Sequence, residues 1–218
     1  MKRWCSHDRC DFEGSHIHVS ELETMRHWKD DEEGTLEGLI SKLRDGPKMN
    51  PQMEAGKAFA ALMEDADDGV ADGATRDGWT FTFSADFHVS RPPLREMQAA
   101  MPFETPLGTV TLIGHCDSTG GREVHDDKLT EKWDAEKYVD SLQWRAYLLM
   151  FDASCFVYDV FVARYRRRND EIVPGQVTVA EYHRLPFYAY PGMKRDVQRA
   201  VEELAAFMFR HLPERFAT

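Results

Sequence analysis

No apolar run in the sequence approaches the roughly 20 residues that a membrane-spanning helix needs, which excludes a helical membrane protein. The start, Met1-Lys2-Arg3-Trp4-Cys5-Ser6-His7-Asp8, lacks the apolar core of a secretory signal, so a soluble, cytoplasmic chain is expected. Cysteine is scarce: Cys5, Cys10, Cys116 and Cys155 are the only four, too few for a disulfide scaffold, and they read as reduced thiols. Net positive charge is also missing. With 27 basic and 38 acidic side chains the formal charge is −11, which speaks against a polyanion wrapped over the whole surface. Internal repeats and low-complexity tracts are absent too. What is present, 42% hydrophobic and 11% aromatic residues over 218 positions, is enough for a folded chain with a substantial core, read as one domain over 1–218.

The charge is unevenly spread. Residues 1–140 hold 16 basic and 29 acidic side chains, whereas residues 141–218 hold 11 and 9. A polyanion would therefore be held in the last third, by Arg164, Arg166, Arg167 and Arg168 or by Lys194, Arg195 and Arg199.

Periodicity predicts an N-terminal extension over 1–19 and then a helical part over 20–64. Ser20-Glu21-Leu22-Glu23 has capping-box spacing, Leu36, Leu39, Ile40 and Leu43 form one stripe, and Asn50-Pro51 opens a third helix. Residues 64–78, rich in aspartate and glycine, read as a solvated loop. From Trp79 to Val89 the pattern alternates, with Phe81, Phe83 and Phe87 on one side and Thr80, Thr82 and Ser84 on the other, as in a half-buried strand. Strands are also predicted over 109–117 and 122–130, joined by a loop at Ser118-Thr119-Gly120-Gly121, and over 155–164 and 176–183. A helix is predicted over 134–151 and an amphipathic one over 191–212. The order predicts an α/β (α+β) fold whose central mixed β-sheet, in 79–183, is flanked by helices.

One constellation carries chemistry. Asp126 and Lys128 are two apart on a strand and share a face, while Asp117 lies nine residues before Asp126 across a Gly-rich turn. Antiparallel pairing can bring the two carboxylates together with an ammonium beside them. Close carboxylates repel unless a cation lies between them, and hard oxygen ligands suit Mg²⁺ or Mn²⁺. Lys128 can then hold and help deprotonate a water and neutralise charge on a phosphate. About 1.6 acidic-x-Lys matches are expected by chance in such a composition, so the pair alone proves nothing; the bland reading is a solvent-face ion pair. Its weight comes from the earlier aspartate and from a following helix with Gln143 and Tyr147 on one face.

These segments, Gly114-His115-Cys116-Asp117, Val124-His125-Asp126-Asp127-Lys128-Leu129-Thr130 and Ser141-Leu142-Gln143-Trp144-Arg145-Ala146-Tyr147, resemble the RecB-like branch of the PD-(D/E)XK nuclease superfamily, which includes the phage recombination exonucleases. Upstream, His18-Val19-Ser20-Glu21-Leu22-Glu23-Thr24 and Met53-Glu54-Ala55-Gly56-Lys57-Ala58-Phe59 are similar to its first two helices. The resemblance implies a restriction-endonuclease-like core and a Mg²⁺- or Mn²⁺-dependent DNA exonuclease of recombination or repair, in the host cytoplasm if phage-encoded. It implies metal ligation by Asp117, Asp126 and the Asp127 carbonyl, a water served by Lys128, and support or substrate contact from Gln143 and Tyr147. DNA ends are the implied partner, with a single-strand annealing or recombination protein and self-association as further expectations.

The departure lies at Ala60, where the family places a His or Glu that completes the metal shell. Either Glu64, one turn on, substitutes; or the chain is a catalytically inactive nuclease fold that binds nucleic acid or a protein; or position 60 has been altered. Cys5, His7, Cys10, His16 and His18 form a soft-ligand cluster, but their spacing matches no common zinc module. His88 and Asp86 share the polar strand face.

Overall fold

The computed structural model describes residues 3–5 by their backbone, and 15–66, 70–87 and 89–216. The strands are β1 (Arg3–Cys5), β2 (His16–His18), β3 (Ala74–Arg76), β4 (Trp79–Phe83), β5 (Leu94–Thr105), β6 (Gly108–Gly120), β7 (Glu123–Thr130), β8 (Cys155–Arg168) and β9 (Glu171–Tyr188). The helices are α1 (Val19–Asp30), α2 (Leu36–Asp45), α3 (Pro51–Asp65), α4 (Glu136–Val139), α5 (Leu142–Phe151) and α6 (Met193–His211). All nine strands join one mixed sheet in the order β1-β5-β6-β7-β8-β9-β4-β3, with β2 parallel to β6 off that path. This is the expected α/β, restriction-endonuclease-like architecture. No helix is long and apolar enough among the described residues to cross a membrane.

Strand alternation on β8 divides the core. Phe156, Tyr158 and Val160 pack in a cluster with residues of α1, α2, α5 and α6, whereas Phe161 and Ala163 pack with Phe59 of α3 and with Phe81, Val177 and Val179. The sheet therefore has helices on both faces, and parallel pairs such as β7–β8 are buried between them.

Helix starts follow local chemistry. Thr35 accepts the Gly38 N–H at 3.1 Å and Asn50 accepts the Met53 N–H at 2.9 Å, with Pro51 in the first helical position. The expected box at Ser20 lies two residues early: His18 is the N-cap, and its N–H donates to Glu21 at 2.7 Å. Glu23 is thereby released to act elsewhere.

Several boundaries differ from expectation. The 64–78 loop contains β3, paired with β4 across a left-handed turn at Asp77 and Gly78 (φ 48° and 80°), a geometry the solvated Asp/Gly composition concealed. The strand predicted to Val89 stops at Phe83, although Phe87 and Val89 still pack on the α3 side. β5 has no counterpart in the sequence reading, because its Pro102 and irregular hydrophobic pattern argue against a strand. The stretch 134–151 is two helices, since the chain breaks at Asp140 and restarts at the N-cap Ser141. The last two strands are longer than expected and meet at a turn whose Asn169 and Asp170 are left-handed (φ 49° and 64°). The sheet also reaches outside 79–183, through β1 and β2 within the expected extension and through β3. The final helix begins at Met193, after Gly192.

Candidate active site

Asp117 is not at a strand end. β6 continues through Ser118, Thr119 and Gly120, and pairs with β7 only there, Ser118 lying opposite His125 and Gly120 opposite Glu123. Beyond that short ladder β6 stays with β5 and β7 with β8, so the two strands part where Asp117 and Asp126 stand. A side chain bridges the gap: the Asp127 N–H donates to Asp117 Oδ2 at 2.5 Å. The parting leaves the buried Asp126 and the half-buried Asp117 near each other.

Asp126 is 3% exposed. Its Oδ1 accepts from Gln143 Nε2 at 2.7 Å, and its Oδ2 is ion-paired to Lys128 Nζ. Burial, then the nearby Asp126 charge, push the Asp117 carboxyl well above the usual range. Burial also raises Asp126, against the pull of Lys128 and Gln143. For Lys128 burial alone would lower the pKa, but Asp126 and Asp117 outweigh it and raise the ammonium. Lys128 thus lies against Asp126 at the edge of the cleft, where its Nζ can hold and orient a water.

The helix after the break positions Gln143. Glu23 Oε1 accepts from Gln143 N at 3.0 Å, from Ser141 Oγ at 3.0 Å and from Leu142 N, which caps α5 from α1. Tyr158 Oη in turn donates to Gln143 Oε1 at 3.2 Å and shares a 2.8 Å bond with Ser141 Oγ. Tyr147, although on the same helix face, is a core residue. It is 4% exposed, its hydroxyl donates to the His115 carbonyl, and its ring lies where a Cβ on Gly114 would stand.

Beside Lys128 opens a cleft of about 410 Å³, lined by Glu23, Arg26, Lys137, Tyr138, Gln143 and Tyr158 among others. On the opposite sheet face Arg91 is ion-paired with Asp127 and donates to the Met63 carbonyl at the end of α3. Next to it, His125 Nδ1 lies 2.7 Å from Asp159 Oδ2, and Tyr182 Oη donates to Asp159 Oδ1 at 2.5 Å.

The expected residues are thus only partly assembled. Asp117, Asp126, Lys128 and Gln143 come together. Glu64 is exposed near the end of α3, and Ala60, half-buried on that helix, offers no donor atom. Among the described residues no group of three or more His, Cys, Asp or Glu is arranged to hold a metal ion. Cys5, His7, Cys10 and His88 lie outside the residues whose side chains are described. Arg164, Arg166 and Arg168 are exposed at one end of the β8–β9 ribbon, while Lys194 and Arg195 follow its other end, where Tyr188 pairs with Cys155. The nine-residue step along β8 from Cys155 to Arg164 spans about 30 Å, so the two clusters do not form one patch. Arg167 is engaged by Glu131 at 2.5 Å and by the Asp170 carbonyl at 2.7 Å.

No protein-family model matches the chain, and no curated protein does. Among solved structures it is similar to SSO0001, with 11% identity over 97% of this chain and 91% of that one and a TM-score of 0.50. The likeness is one of fold. An alkaline exonuclease (LHK-Exo) from Laribacter hongkongensis also aligns, at 10% identity over 92% of this chain and 89% of that one, with a TM-score of 0.40.

Sequence reasoning missed Arg91, Glu23 and the His125–Asp159–Tyr182 network. Arg91 follows a strand and precedes two prolines, a place that reads as loop, and nothing in its spacing to Asp127 shows the pairing. Glu23 was legible as an acidic residue in a first helical turn, but its partner lies 120 residues away.

Proposed function

We propose that this chain is a Mg²⁺- or Mn²⁺-dependent DNA nuclease of the exonuclease type, acting on phosphodiester bonds in recombination or repair. The observation that carries the reading is the parted β6–β7 hairpin, which brings the half-buried Asp117 near the buried Asp126 and sets Lys128 and Gln143 on Asp126. Two neighbouring carboxylates, both pushed up by burial and Asp117 also by the charge of Asp126, are a donor set short of positive charge, which a hard divalent cation fits. Asp117, Asp126 and the Asp127 carbonyl would hold it, and it would supply Lewis-acid stabilisation to a phosphate oxygen. Gln143 fixes the Asp126 rotamer and is fixed by Tyr158 and the Glu23-capped helix end. Lys128, 36% exposed toward the cleft, orients a water through Nζ and offsets negative charge growing on the phosphate.

The test is degradation of a linear duplex by the purified chain with Mn²⁺ and with chelator. Loss of DNA with Mn²⁺ that disappears in Asp126→Asn supports the reading. An intact duplex with both Mg²⁺ and Mn²⁺ overturns it. In that event the second reading takes its place, a nuclease fold that binds nucleic acid or protein without cutting, which the donorless Ala60 favours.

A further inference from the structure

The arginines at the far end of β8 are ordered by the strand. Along β8, whose register with β9 shifts between Val162 and Ala163 and again between Tyr165 and Arg167, Phe156, Tyr158 and Val160 pack on one side and Phe161, Ala163 and Tyr165 on the other. Tyr158 lines the cleft and bonds to Gln143; continuing that same face by twos gives Arg164, Arg166 and Arg168. The other face carries Tyr165, packed on the α3 cluster, and Arg167, opposite the buried Ile172. So three exposed arginines continue the face of the candidate site, and the fourth, neutralised by Glu131, faces away.

The neighbouring strands extend this surface with uncharged groups. Thr178 lies opposite Arg164, and its hydroxyl is 3.1 Å from that of Thr82 on β4. Gln176 lies beside it on β9, exposed. Val177, Val179 and Phe81, which alternate with these residues, are the ones buried under α3, so the hydroxyl and amide groups point away from that helix. Two carboxylates lie along this side: Glu171 opposite Arg168 at the outer end, and Glu181 opposite Val162, between the arginines and Tyr158, where it is bonded to His183. In a chain of net charge −11 this is a cationic strip with neutral hydrogen-bonding flanks.

We infer that this strip, Arg164, Arg166 and Arg168 with Thr178, Thr82 and Gln176, is a track for the sugar–phosphate backbone of DNA that continues into the cleft at Lys128. The inference rests on the nuclease reading of that cleft. Guanidinium groups pair with phosphates, and hydroxyl and amide groups reach phosphate and sugar oxygens without reading bases, so the track is blind to sequence. From Tyr158 to Arg164 the strand advances about 20 Å, close to six base pairs of duplex, so only DNA longer than that on one side of the site engages it.

The experiment is binding of a labelled 30-mer by fluorescence anisotropy in chelator over a salt series, together with Mn²⁺-dependent hydrolysis of the 30-mer and of the small diester bis(p-nitrophenyl) phosphate. The proteins are the full chain, Arg164→Gln/Arg166→Gln/Arg168→Gln, Arg167→Gln and Thr178→Glu. The triple variant is expected to flatten the log–log salt slope by about 2.7 on duplex or 2.1 on single strand, and to weaken binding at least about tenfold. Hydrolysis of the small diester stays unchanged. Thr178→Glu, which removes no arginine, weakens binding in the same direction, and Arg167→Gln does not. A triple variant with the parent slope overturns the track, as does an Arg167→Gln loss equal to the triple loss. DNA and diester hydrolysis without any triple-variant effect on binding removes the track alone. Arginine-dependent binding with no hydrolysis of either substrate removes the nuclease reading and leaves a DNA-binding face.

Discussion

Arg91 and Asp127 are ion-paired with their side chains 3% and 2% exposed, on the sheet face opposite Lys128. The pair ties three parts of the site together. Arg91 also donates to the Met63 carbonyl of α3, and the backbone N–H of Asp127 donates to Asp117. A buried ion pair need not stabilise relative to apolar residues, but removing one partner leaves the other charge stranded, at about 3–5 kcal/mol. Arg91→Met and Asp127→Asn are therefore each expected to lower Tm by roughly 6–20 °C at this chain length. The Arg91→Met/Asp127→Asn double variant should lose far less than the sum, read by thermal unfolding in a double-mutant cycle. Additive losses would show that the two side chains do not depend on each other.

The raised carboxyl of Asp117 gives a pH dependence with a definite sign. Its pKa in the folded protein lies well above the ordinary carboxylate value of 3.8, so as pH rises the native state keeps a proton that the unfolded chain has released. Stability from this group is complete below 3.8 and is lost as pH rises through the folded value. Asp117→Asn keeps an oxygen for the Asp127 N–H and carries no charge. Without metal it should melt higher than the parent at neutral pH, by at least about 2 °C, and the difference should vanish toward pH 3. Mn²⁺ should then raise the Tm of the parent and leave the variant where it is. A variant that melts below the parent at pH 7 would contradict the crowding of charge at this point.

The architecture was readable because the strongest periodic signals lie in the elements that build the core: the Leu36–Leu43 stripe, the alternation from Trp79 and the Asn50-Pro51 start. Asp117, Asp126, Lys128 and Gln143 were legible as a set because residues two apart on a strand share a face and a short turn returns the chain. For Tyr147 the same logic reaches less far. It shares Gln143's helix face, but the close approach of Gly114 draws its ring into the core, and that depends on a strand residue 33 positions away (147 − 114). Arg91, Glu23 and the division of the arginines between two strand faces depend on register and tertiary pairing, which local patterns do not encode.

Gln143 and Tyr147 should therefore respond differently to small changes. Gln143→Ala removes the bond that fixes Asp126 and leaves the Tyr158 hydroxyl without one partner, so hydrolysis of DNA should fall by about 10²-fold or more with little change in Tm. Tyr147→Phe removes only the hydroxyl that donates to the His115 carbonyl. It should cost about 1 kcal/mol of stability and leave the rate within a few-fold of the parent. Steady-state rates and melting curves on both variants check this, and a Tyr147→Phe rate as low as that of Gln143→Ala would return Tyr147 to the chemistry.

Position 60 offers a test of the proposed nuclease reading. α3 packs against β7, and Ala60 lies half-buried between the core residues Phe59 and Met63, on the helix whose end Arg91 holds. Glu64 is exposed and one turn further on, so Glu64→Ala should leave the rate unchanged. With two carboxylate side chains and a backbone carbonyl as donors, a divalent cation held there would keep more water and be aimed less well at a phosphate. Misplaced electrostatics of that kind cost on the order of 10²–10³ in rate. Ala60→His adds a nitrogen donor on the α3 side and should raise Mn²⁺-dependent hydrolysis at least about tenfold, with a smaller gain for Ala60→Glu. The gain has to disappear in Ala60→His/Lys128→Ala, because the ammonium that orients the water and offsets phosphate charge is then missing. Calorimetry with Mn²⁺ separates the causes: a tighter metal without a faster reaction means that the helix delivers a ligand to a site without chemistry. If neither affinity nor rate changes while Tm holds, the face of α3 that carries Ala60 does not reach the carboxylates at all.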